Sequence, residues 1–130
     1  YACTCADEAI VVVNLDLSSI RDCDRVVGLL MKRGIMDISM IVNRLNVDYI
    51  GNQTTLSLKD ASDVLSLPLL GVVYDDESMI ASNNRGVPVF FDNTSKLRGC
   101  FERIARRLNG ENVAFITPKK KGLLQKIFQK

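Results

Sequence analysis

Asp7-Glu8-Ala9-Ile10-Val11-Val12-Val13-Asn14 decides the fold. Four unbroken β-branched residues follow an acidic pair and stop at an asparagine, which predicts a strand buried on both faces. Ile38 to Val42 and Leu69 to Val73 are two more apolar runs of the same kind. Helical patterns separate them. Ser19 and Asp22 have capping-box spacing, Ile20, Cys23, Val27 and Leu30 form an apolar stripe, and Gly34 sits where a left-handed cap is wanted. Ser57 and Asp60 repeat the capping spacing before a helix with Leu58, Ala61, Val64 and Leu65 inward, closed by Pro68. Asp75, Asp76 and Glu77 load the start of a short helix that ends at Gly86 and Pro88. Thr94 or Ser95 opens the last helix of the body, with Leu97, Cys100, Phe101, Ile104, Ala105 and Leu108 on one face and Arg103, Arg106 and Arg107 largely off it. Gly110 stops that helix.

Apolar strands alternating with helices predict an α/β fold, a parallel sheet with flanking helices and right-handed crossovers. Ligands of such sheets lie beyond the carboxyl ends of the strands. That draws attention to Asn14–Asp16, Asn43–Asn46 and Tyr74–Glu77, although asparagine and aspartate also serve ordinary turns there. Three strands alone also predict a raw sheet edge and one poorly covered face.

The 130 residues fit one domain. No apolar run is long enough to span a bilayer, and the first residues lack a basic-then-apolar leader, so the body is expected to be soluble and cytoplasmic. Histidine is absent, which excludes Ser-His-Asp and Cys-His chemistry within these residues. Cys3, Cys5, Cys23 and Cys100 lack metal-ligand spacing and read as small apolar residues. No basic and aromatic platform points to nucleic acid.

Charge is segregated. Of 17 basic residues five are lysines in Lys119–Lys130, leaving twelve against 15 acidic ones upstream. Read as a helix, that segment puts Leu123, Leu124, Ile127 and Phe128 on one stripe, with Lys119, Lys120, Lys121 and Lys126 among the residues on the other side. Such a helix suits an anionic membrane surface. Docking on the protein's own body, or a disordered tail, are the alternatives. One tail is too weak to hold a protein down and two on a dimer suffice. The expected organisation is an α/β body over 1–110, a linker over 111–118 that frees the tail, and the amphipathic helix over 119–130.

Several stretches together resemble the C-terminal half of the MinD-type ATPases, a branch of the deviant Walker-A (ParA/MinD) family. They are residues 6–13, Ser18-Ser19-Ile20-Arg21-Asp22-Cys23-Asp24-Arg25, Ile41-Val42-Asn43-Arg44, Leu69-Leu70-Gly71-Val72-Val73, Ser82-Asn83-Asn84-Arg85-Gly86-Val87-Pro88 and the basic tail. The resemblance implies a doubly wound, P-loop NTPase-like sheet that binds ATP with Mg and forms a homodimer around nucleotide. It implies peripheral attachment to the inner face of the cell membrane, recruitment of a MinC-like division inhibitor and release by a MinE-like activator. The family's Lys-Gly-Gly-Val-Gly-Lys-Thr loop and its magnesium aspartate have no counterpart here, so these residues alone are not expected to hydrolyse ATP.

By the same resemblance Asn43 and Arg44 match the adenine-side motif. Tyr74, beside Asp75, replaces the usual proline and either stacks on the base or narrows its pocket. Asp16 and Asp22 fall near the dimer and partner surface, with helix capping as the other reading of Asp22. A non-catalytic membrane-associated scaffold is the alternative function, and a ParA-like or flagellar-placement ATPase a more distant one.

Overall fold

A computed structural model describes residues 3, 5–49 and 56–116. The expected tail helix, with Lys119, Lys120, Lys121, Leu123, Leu124, Lys126, Ile127 and Phe128, lies outside them. Three strands, β1 (Glu8–Val13), β2 (Asp37–Leu45) and β3 (Leu69–Tyr74), form a parallel sheet in the order β1-β2-β3. Helices α1 (Leu17–Lys32), α2 (Leu58–Leu65), α3 (Glu77–Arg85) and α4 (Lys96–Leu108) complete the described body. The α/β expectation holds.

Two clusters form the core. One joins Val11, Val13, Ile38, Met40 and Val42 of the sheet to Ile20, Cys23, Val27 and Leu30 of α1 and Ala61 and Leu65 of α2. The other packs Leu70 and Val73 of β3 against Leu97, Cys100 and Ile104 of α4. Since α4 packs on β3 and reaches no further than Ile41 of β2 on its side, Ile10 and Val12 are left 41% and 61% exposed. The expectation that β1 is buried on both faces is therefore corrected: alternate side chains of a strand point to opposite faces, and only one face is covered here. Val64 and Leu108, expected inward, are also exposed.

Helix ends follow local chemistry, with one shift. Ser57 and Asp60 make the expected capping box, and Ser95 and Gly86 cap where expected. For α1 the cap is Asp16, whose carboxylate accepts from Ser19 N at 2.8 Å, rather than the Ser19 and Asp22 pair. Ser19 Oγ instead accepts from Asn14 N at 3.0 Å, so the helix begins within four residues of the strand and Ser19 already lies in its first turn. A carboxylate nearer the strand end satisfies the first free N–H groups before Ser19 can.

Gly71 has a packing reason. A Cβ built there would lie 2.2 Å from Ile104 Cγ1 and 2.9 Å from its Cδ1, so only glycine lets α4 seat this closely on β3.

Candidate functional site

The carboxyl end of β2 does not run out smoothly. Val42 pairs with Val72 and Leu45 with Tyr74, so three steps of β2 match two of β3. The extra residue is taken up at Asn43 and Arg44, and Arg44 sits at φ 53°. A bulge with a left-handed residue re-aims side chains at a strand end. Arginine holds that conformation at a cost glycine would not incur.

The re-aimed Arg44 meets the next strand end. Its Nε lies 3.4 Å from Asp75 Oδ1, both side chains largely in solvent, and Asp75 N donates to Leu45 O at 3.1 Å. Asn43 is half-buried beside them. Asp76 caps α3 by accepting from Ser78 N at 2.9 Å, and the hydrogen bonds from Ser78 hold its carboxyl below the ordinary range. The sheet thus brings Asn43, Arg44, Tyr74 and Asp75 to one edge. Asp16 follows β1 and Asp22 lies on α1, both exposed, Asp16 occupied as the α1 cap and Asp22 lying 3.8 Å from Arg25.

Tyr74 lies between the two core clusters and is half-buried. Desolvation raises its phenol's pKa, Cys100 adding to the rise and Arg103 opposing it. Its hydroxyl donates to Ile116 O at 3.2 Å. Residues 111–116 have no helix or strand, yet they do not leave the body as a free tether would. Arg107 binds them: Nε donates to Val113 O at 2.9 Å, Nη2 to Ala114 O at 3.0 Å, and the guanidinium lies 3.9 Å over the Phe115 ring. Its Nη1 reaches back to Leu70 O at 3.0 Å, where a second register shift inserts Leu70 into β3. Arg107 was expected off the packed face. Its spacing of three from Ile104 and seven from Cys100 is the signal that places it there.

What this edge can do is limited by what it lacks. An amide, a guanidinium, a phenol and a carboxylate can meet the polar rim and flat face of a purine base. Among the described residues no group of three acidic, cysteine or histidine side chains could hold a metal ion. No glycine-rich lysine loop occurs in the 130 residues. The residues present fit a base and not its phosphates.

The three-strand parallel sheet with flanking helices matches the P-loop NTPase-like fold of solved MinD ATPases. A putative septum site-determining protein MinD of Emiliania huxleyi is 46% identical over 112 residues, which is 85% of this chain and 41% of that protein. The chain belongs to the MinD family and matches its C-terminal portion. Among solved structures, the MinC:MinD cell division protein complex of Aquifex aeolicus superposes with a TM-score of 0.82 at 34% identity, over 86% of this chain and 46% of that one. The septum site-determining protein MinD of Pyrococcus horikoshii complexed with Mg-ADP gives 0.66 at 27% identity, over 80% of this chain and 42% of that one. No family model matches. The chain spans less than half the length of these relatives.

Proposed function

We propose that this chain supplies the adenine edge and the membrane anchor of a MinD-type ATPase that positions the division septum. In this reading Asn43 and Arg44 meet the base, with Tyr74 and Asp75 closing the same edge, and ATP with Mg is held between two protomers. Phosphate and magnesium machinery must come from outside these 130 residues, because they contain no loop to cradle phosphates. Dimerisation then pairs two basic amphipathic tails, and paired tails hold an anionic membrane where one does not. A MinC-like inhibitor and a MinE-like activator are the expected partners, with Asp16 and Asp22 on the partner surface. The MinC:MinD complex of Aquifex aeolicus supports the inhibitor, and the Mg-ADP complex of the Pyrococcus horikoshii protein the nucleotide, by kinship.

The observation that carries the reading is the left-handed bulge at Arg44, aimed at Asp75 across the carboxyl end of the sheet. Strain at a ligand edge is a mark of built geometry rather than of a loose turn. Calorimetric titration of the full chain as the cell makes it tests the base. Mg-ATP is expected to bind about tenfold or more tighter than Mg-GTP, since an edge shaped to hydrogen-bond one purine leaves polar groups unpaired against the other. Equal affinity for the two would remove the adenine assignment.

The second reading is a non-catalytic membrane scaffold derived from a ParA/MinD homologue. It predicts vesicle binding indifferent to nucleotide.

A further inference from the structure

We infer that Tyr74 and Arg107 clamp residues 111–116 as a strap, and that a base bound at the Arg44 and Asp75 edge unlatches it through Tyr74. The inference rests on the adenine-edge reading above. Three observations support it. Arg107 spends its three nitrogens on Leu70, Val113 and Ala114 carbonyls and stacks on Phe115, tying the strap to β3 along most of its length. At the far end the Tyr74 hydroxyl donates to Ile116 O. Ile116 is three residues from the lysine-rich segment. The root of the proposed anchor is therefore fastened to a residue of the proposed base edge.

The direction of the coupling follows from where the groups lie. Tyr74's hydroxyl is directed to the strap and its ring is packed between the two core clusters, with Cys100 and Arg103 of α4 near its hydroxyl, whereas Asp75 is engaged with Arg44 of β2 in solvent. A ring that stacks on a base held at the solvent-facing Arg44 and Asp75 has to turn out of that packing. That turn breaks the bond to Ile116. A half-exposed neutral hydrogen bond is a weak latch, so its loss should raise the open population of the strap by about two- to tenfold.

Chymotryptic cleavage after Phe115, followed by mass spectrometry on the full chain as the cell makes it, reads the open population. Without nucleotide, Tyr74→Phe should be cut about two- to tenfold faster than wild type at an unchanged thermal midpoint. Arg107→Lys, which cannot reproduce the three-way fork, should be cut faster still. Saturating Mg-ATP should speed cleavage of the wild type and leave Tyr74→Phe unaffected. Equal cleavage of wild type and Tyr74→Phe without nucleotide would overturn the latch. A wild type that binds Mg-ATP by calorimetry yet shows no change in cleavage would overturn the coupling. Calorimetry that detects no nucleotide would instead remove the adenine edge and the coupling with it, while the ligand-free comparison still decides whether the latch exists.

Discussion

Gly71→Val lowers the stability of the chain by about 3 kcal/mol, which should appear as a fall of roughly 10 °C in the thermal midpoint. The reason is local and steric. The first added carbon would stand 2.2 Å from Ile104 Cγ1, and Ile104 is itself buried between α4 and β3. It cannot swing into solvent, so either α4 lifts from β3 or both side chains leave their rotamers. Lifting α4 opens the smaller core cluster and carries Arg107 away from Leu70 O. A double-mutant cycle identifies the clash: Gly71→Ala with Ile104→Ala removes both offending carbons, and the pair should be less destabilised than the two single changes summed. A Gly71→Val variant that melts with the wild type would mean that α4 does not seat on β3 as described.

Phe128→Glu should reduce binding to anionic vesicles by at least a hundredfold. In the proposed anchor Phe128 enters the acyl boundary, and its burial contributes about 2–3 kcal/mol. The new carboxylate adds roughly 1 kcal/mol of repulsion from the lipid surface. Gln129→Glu separates these two effects. It changes charge equally but falls opposite the apolar stripe of a helix, so only the electrostatic part is lost and binding should drop about fivefold. Both variants are compared by co-sedimentation at low salt, because the lysine contribution is screened as ionic strength rises. If Phe128→Glu sediments like the wild type, the stripe does not enter lipid.

Much of the body was legible because its signals are local. Apolar runs of four or five residues at Ile10, Ile38 and Leu69 mark the strands, and Ser57, Asp60, Ser95 and Gly86 mark helix ends where the fold uses them. Asp16 was harder to read as a cap, since two cap-competent residues lie three apart and the length of the turn chooses between them. Exposure of Ile10 and Val12 depends on how far α4 reaches across the sheet, which no pattern within β1 can report. The same holds for the site. Asn43, Arg44, Tyr74 and Asp75 could be placed at strand ends, but the bulge that turns Arg44 toward Asp75 depends on a one-residue mismatch between β2 and β3. Arg107's grip on residues 111–116 was missed because an arginine on an apolar stripe reads as an edge residue until its carbonyl partners are known.

The adenine edge is tested most directly by Arg44→Gly, with Mg-ATP affinity and thermal midpoint measured on the same preparation. Glycine adopts φ 53° freely. Relief of about 1 kcal/mol or more of left-handed strain outweighs or balances an exposed ion pair worth about 0–1 kcal/mol. The midpoint should therefore hold or rise. Affinity for Mg-ATP should fall by about tenfold, the loss expected when a charged hydrogen-bonding partner leaves a ligand edge. A variant that keeps both its midpoint and its full affinity for Mg-ATP would show that the Arg44 guanidinium does not serve the nucleotide.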